Sequence, residues 1–342
     1  MPELAVIRRG GFVESRHHGT VAVLGPGGAD LLTLGDAAAA ILPRSAVKPL
    51  QALACLTAGA SLADEELAVA AGSHTGEDRH VEVVRRLLER AGLDPDALGC
   101  PPDWPEHEAT RHALLRAGGG PERIRMNCSG KHAAMLLACA RNGWDVAGYL
   151  DPEHPLQRHV ADTVRQATAE PVRHVTVDGC GAPLYGVTVR GLARAFHRLA
   201  VAPAGSADAA VAAAMRGHPF FVGGAPHQNS DAMRLVPGLL AKGGAEGVIA
   251  MAAASGEAVA VKVSDGNPRA TTLIALAALE AAGVDVSAAR DLTDLPVLGG
   301  EKRVGGISLG HDLAQAVAAA TRNGTTGHGA ARHGAVRNGT AR

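Results

Sequence analysis

Aromatic side chains are nearly missing from this 342-residue chain: two Trp, two Tyr and four Phe make up 2% of it. So few rings give successive bases little to stack on, which disfavours nucleic-acid binding. Net charge is equally scarce, −1 from 33 basic and 34 acidic residues. No overall field draws the protein to nucleic acid or to an anionic membrane. Long apolar runs are absent too, and nothing approaches the roughly eighteen uninterrupted residues of a membrane helix. Residues 1–19 carry Arg8, Arg9, Glu14, Arg16, His17 and His18 where a signal peptide needs an apolar stretch, so none is expected. The five cysteines, Cys55, Cys100, Cys128, Cys139 and Cys180, are odd in number and lack framework spacing. That usage suits a reducing compartment, and a cytoplasmic protein is expected.

What is present is enough apolar residue, 46% of the chain, to bury a sizeable core. Glu3 to Arg8, Phe12 to His17 and Thr20 to Leu24 read as a small antiparallel meander, broken at residues 25–28 by Gly-Pro-Gly-Gly. That glycine-rich turn is not followed by Lys-Ser or Lys-Thr, so a phosphate loop is disfavoured. Helical periodicity follows at Asp78 to Ala91, Ala133 to Asn142, Pro155 to Ala169, Leu192 to Leu199 and Ala209 to Met215. Near the end, runs at 247–254 and 257–264 flank Ser255-Gly256 as a hairpin, then come an apolar helix at Ala270 to Ala282 and a β-prone run at Arg303 to Leu309. The expected fold is mixed α/β (α+β), an antiparallel sheet from both chain ends packed with helices around a mostly helical middle. Residues 1–322 read as one catalytic domain and 323–342, rich in Gly, Thr and Ala and free of acids, as a disordered tail.

Five polar stretches carry the chemistry. Ser45 and Lys48 stand three apart at a helix start, so the hydroxyl and the amine share a face. Serine is a weak nucleophile until a base takes its proton, and a lysine with a pKa of roughly 10.4 serves only if burial or nearby cations lower it. Alone, the pair reads better as an N-cap with a surface lysine. Ser73-His74-Thr75-Gly76-Glu77 precedes a helix and is spaced almost as a capping box. Cys128-Ser129-Gly130-Lys131-His132 opens a helix and Asp178-Gly179-Cys180-Gly181 ends a strand. Their thiols, His and Asp are competent zinc ligands, with two buried structural cysteines as the alternative. Lys262-Val263-Ser264-Asp265-Gly266 puts a lysine on an alternating strand, where an outward-facing side chain is the plain alternative.

In this order and spacing, Arg-Ser-Ala-Val-Lys-Pro, Ser-His-Thr-Gly-Glu, Asn-Cys-Ser-Gly-Lys-His from Asn127, Asp-Gly-Cys-Gly-Ala-Pro and Lys-Val-Ser-Asp-Gly resemble one family. It is the bacterial asparaginase family typified by the inducible rhizobial enzyme, distinct from the threonine-nucleophile asparaginases. The resemblance runs from about Leu4 to about Val304. It implies a fold similar to serine β-lactamases and glutaminases, a homodimer, and hydrolysis of L-asparagine to aspartate and ammonia. It also implies catalytic pairs at Ser45 with Lys48 and Ser73 with Lys262, and one zinc per chain, structural or orienting, on Cys128, Lys131 and Cys180. Ser45 is the expected nucleophile, and Arg44, His74, Glu77, Asp178, Asp265 and His227 are the substrate-facing candidates. Where relatives continue with a Gly-Arg pair, this chain has Ala225-Pro226-His227-Gln228-Asn229-Ser230, so His227 is expected to hold the substrate carboxylate in a pH-dependent way. Alternatives are a Ser-Lys amidase or acyltransferase on another small-molecule amide, and a zinc-binding homologue without activity.

Overall fold

The computed structural model describes residues 1–327, with side chains through Arg322. The chain opens with β1 (Glu3–Arg9), β2 (Phe12–Leu24), β3 (Asp30–Leu34) and the short β4 (Ala40–Ile41). A 3-10 turn, Arg44–Val47, then feeds a helical block: α1 (Lys48–Thr57), α2 (Asp64–Ala70), α3 (Asp78–Ala91), α4 (Glu108–Arg116), α5 (Ser129–Asn142) and α6 (Pro155–Thr168). Three short strands, β5 (Val175–Val177), β6 (Pro183–Tyr185) and β7 (Val187–Thr188), lead into α7 (Val189–Ala200), α8 (Ala207–Gly217), α9 (Pro219–Val222) and α10 (Gln228–Leu235). The chain returns to the sheet as β8 (Leu240–Gly244), β9 (Val248–Ala252) and β10 (Ala258–Val263), then α11 (Thr271–Ala281), β11 (Leu295–Gly299), β12 (Lys302–Leu309) and α12 (His311–Gly327).

Both chain ends build one eight-stranded antiparallel sheet in the order β11-β12-β1-β2-β10-β9-β8, with β3 on β2. The expected fold class is therefore the observed one. The two strands expected on either side of His18-Gly19 are a single strand, β2, whose first half pairs with β1 and second half with β10. Gly19 sits at that changeover, where a Cβ would come within 2.2 Å of the Lys262 carbonyl oxygen, so only glycine lets β10 approach. Strands β9 and β10 are buried at nearly every position, with α7 and α11 packed on them, and read as apolar runs for that reason.

The helical middle is organised around α5, buried along most of its length and packed against α1, α2 and α3. The periodic reading gave α3 its observed bounds and α5 its C-terminal end at Asn142, where Gly143 takes a left-handed φ of 65°. The run 308–322, for which the sequence offers no account, completes β12 and forms much of α12. The first turn of α12 is tied to β1: Glu3 N–H donates to Asp312 Oδ2 at 2.7 Å and His311 N–H to Glu3 Oε1 at 2.9 Å. Residues 328–342, most of the expected tail, lie outside the described residues. Among the described residues no helix is long and apolar enough to cross a membrane.

Candidate active site

The 3-10 turn that carries Ser45 is set by its neighbours. Arg44 adopts a left-handed φ of 50°, and β8 presses against the turn at Gly244. A Cβ there would stand 2.5 Å from the Pro43 carbonyl oxygen and 3.1 Å from the Ser45 amide nitrogen, so the strand can lie this close only as glycine. Lys48 follows as the first residue of α1 and is almost completely buried. Its Nζ does not bond Ser45. It donates to Ser73 Oγ at 2.9 Å and to the Asn127 carbonyl at 3.4 Å. Ser45 makes no side-chain hydrogen bond among the described residues.

Ser45 and Ser73 line one cavity of about 680 Å³, together with Glu106, Asn127, His227, Lys242 and Arg269. Lys242 is the functional candidate that the sequence reading missed. It lies on β8 inside the apolar run Leu239-Leu240-Ala241 and is followed by Gly243-Gly244. A charge within such a run, closed by two glycines, is the signal that marks it. Its side chain is fully buried, and burial followed by the positive charge of Lys48 pushes its pKa down from 10.5 to about 7.

Lys262, expected beside Ser73, is not in this cavity. Lys242 pairs with Ala250 and Ala250 with Ala260, while Lys262 pairs with Val248 and Val248 with Gly244. The two lysines thus share a sheet face but stand two strands apart, roughly 10 Å across the sheet. Lys262 Nζ is instead held by the carbonyl oxygens of Glu246 and Val263, both at 2.6 Å.

The expected substrate-facing residues divide. His227 lines the cavity, yet its imidazole caps α10 by accepting from Asn229 N–H at 3.2 Å. Burial first, then Lys242, lowers its pKa to about 4. It is neutral above pH 5.5 and cannot hold a carboxylate by charge, which corrects the expected role. Arg44 gives its Nε to Asp178 Oδ1 at 2.7 Å, so Asp178 positions Arg44 and neither is among the cavity's lining residues. Asp265 binds His17 Nδ1 at 2.6 Å, and His17 Nε2 accepts from Arg269 Nε at 2.9 Å. Asp265 therefore supports Arg269, a lining residue absent from the sequence-based set. His74 is wholly buried, bonded through Nε2 to Ser129 Oγ at 2.9 Å and stacked on His80 at 5.0 Å. Glu77 accepts from Thr75 Oγ1 at 2.8 Å and stands at the N-cap of α3, with its N–H on His80 Nδ1 at 3.2 Å. Both serve the framework.

Cys128, Lys131 and Cys180 do converge. Lys131 Nζ donates to Cys180 Sγ at 2.9 Å, and all three residues are buried. The Cys180 thiol is pushed far down by the Cys128 S–H pointing at it and, against burial, by Lys131 and His132. Lys131 is raised: burial favours the neutral amine, but the sulfur charge outweighs it. His132 Nδ1 and the Tyr149 hydroxyl share a hydrogen bond of 2.6 Å, and the imidazole lies beside Cys180. Among the described residues no three His, Cys, Asp or Glu side chains form a metal-holding group. A Cys-Lys-Cys set contains only two side chains of those types, and its two sulfurs, with the amine once deprotonated, are donors that suit zinc.

Fold and site together define a mixed α/β protein whose cavity gathers two serines and a buried lysine of near-neutral pKa, with a second buried lysine bonded to one serine. The chain belongs to the L-asparaginase II family, whose model matches residues 5–309. No curated protein sequence matches it. Among solved structures it is similar to a β-lactamase from Mycobacterium bovis, at 16% identity over 80% of this chain and 95% of that one, with a TM-score of 0.43. Similarity of that degree bears on neither activity nor mechanism.

Proposed function

We propose that the protein hydrolyses the side-chain amide of L-asparagine to aspartate and ammonia through a serine acyl-enzyme. The observation that carries this is the meeting of Ser45, Ser73 and Lys242 in one cavity, with Lys48 bonded to Ser73. A lysine of pKa about 7 is half neutral near pH 7 and can take a proton, which an ordinary lysine cannot. Ser45 is the nucleophile because Ser73 Oγ is already engaged by Lys48, whereas Ser45 Oγ has no hydrogen-bond partner among the described residues and Lys242 lines the same cavity from β8. Ser45 Oγ attacks the amide carbon and its proton passes to Lys242 Nζ. The C–N bond breaks and ammonia leaves with a proton returned through the Lys242, Ser73 and Lys48 network. Water, giving its proton to the same network, then attacks the ester carbon and frees aspartate and Ser45.

Arg269, steadied by His17 and Asp265, replaces His227 as the carboxylate partner. Zinc on Cys128, Lys131 and Cys180 would cross-link α5 to the β5–β6 turn and supply local positive charge. Lys131 must lose its proton to join it. The reading includes a cytoplasmic homodimer acting on a small amide. Ammonia release from asparagine, compared between wild type and Ser45→Ala, tests it: turnover within tenfold of wild type in the variant moves the nucleophile to Ser73, and no release by wild type rejects asparagine as substrate.

A further inference from the structure

Among the described residues, Glu106 is the one carboxylate lining the cavity, whose cations are Lys242 and Arg269. It lies just before α4, and its Oε1 accepts from Asn127 Nδ2 at 2.7 Å. The main-chain carbonyl of that same Asn127 accepts from Lys48 Nζ at 3.4 Å. Asn127 therefore fixes an exposed carboxylate next to the Ser73 and Lys48 pair and leaves its second oxygen open. The negative charge also acts on Lys242, whose pKa it pulls upward against the larger effect of burial. Arg269 offers a fixed positive charge in the same cavity, so the lining complements a zwitterion.

We propose that Glu106 receives the α-ammonium of the substrate and restricts the site to amides with a free amino group, so that acylated or peptide-linked asparagine is rejected. This rests on the asparagine reading of the cavity. A bond between ionised partners is among the stronger hydrogen bonds, and its loss is felt as weaker binding of ammonium-bearing ligands alone. Substrates that lack the amine have nothing to lose.

Aspartate and succinate differ only in the ammonium, so calorimetric titration of both into wild type, Glu106→Gln and Glu106→Ala isolates the contact without turnover. Glutamine keeps an oxygen for Asn127 and removes only the charge. Wild type is expected to bind aspartate about tenfold or more tighter than succinate. Glu106→Gln should abolish that preference while leaving succinate within about twofold of wild type, a span expected of an untouched contact. Glu106→Ala should do the same if the charge alone is responsible. Equal affinity of wild type for both ligands, an unchanged preference in Glu106→Gln, or an equal loss for both ligands would each overturn the assignment. Ammonia release from asparagine by the same wild-type preparation is measured alongside. Its absence rejects the hydrolytic reading and leaves the ammonium contact judged by the titrations.

Discussion

Two buried lysines, Lys242 and Lys131, meet opposite fates. Both are almost fully removed from water, which by itself favours the neutral amine. Lys242 faces another cation, Lys48, and its pKa falls to about 7. Lys131 faces the Cys180 sulfur, and its pKa rises. Burial thus lowers the pKa of a lysine where nearby cations act with it and the neighbouring anions, here Cys128 and Glu106, are too weak to offset it. With the Cys180 sulfur, whose pKa is pushed down, at 2.9 Å the same burial is outweighed and the ammonium form is favoured. One fold has placed a lysine of lowered pKa on the sheet edge and one of raised pKa on α5.

The comparison breaks most sharply at the nucleophile. Ser45→Ala should lower kcat/KM for asparagine by about 10⁴-fold or more, since knocking out an activated nucleophile costs that much. Lys242→Met should cost about 10² to 10⁴-fold, the range of a lost general base. The same substitution should raise thermal stability at pH 7, because it removes the burial penalty. The folded pKa of Lys242, about 7, lies below its ordinary 10.5. The unfolded chain therefore binds more protons between those values, and stability rises with pH across that window. Melting temperatures from pH 6.5 to 10 should show this rise in wild type and lose that contribution in Lys242→Met.

At the other lysine, Cys180→Ala should strip Lys131 of its partner. About 3 to 5 kcal/mol of stability should be lost, as when one member of a buried pair is removed. Metal analysis should also show about one zinc per chain in wild type and none in the variant. Denaturant unfolding and metal content read both. A full zinc complement in Cys180→Ala would separate the metal from this cluster. The smallest effect is expected at His227. Its imidazole is neutral across pH 5.5 to 8.5, so His227→Ala should shift KM less than about threefold while costing about 1 kcal/mol for the lost helix cap.

Much of this was legible in the sequence and the rest was hidden for identifiable reasons. The α3 and α5 periodicities and the terminal strands were readable because each has a clear face and a glycine stop. Ser45 and Lys48 were readable as a pair from their spacing, whereas Ser73 and the set Cys128, Lys131 and Cys180 came only through the family resemblance, because nothing local marks a lysine as a metal ligand. Lys242 was not, because β8 is a five-residue strand whose apolar run gives no alternation. Lys262 stood out for the opposite reason, since its strand alternates clearly. Lys242 and Lys262 share a face, and only the register between β8, β9 and β10 decides which one reaches the serines. Local sequence does not carry that register. His227 was misjudged because an imidazole is assigned an ordinary pKa until its burial beside Lys242 is known.

The most direct test is the pH dependence of kcat/KM for asparagine in wild type, Lys242→Met and Lys262→Met from pH 5.5 to 8.5. If Lys242 is the base, wild type and Lys262→Met show the same rise with a midpoint near pH 7, and Lys242→Met retains at most a small, flat residual activity. A rise preserved in Lys242→Met but lost in Lys262→Met would contradict this assignment and return the catalytic role to the lysine on β10.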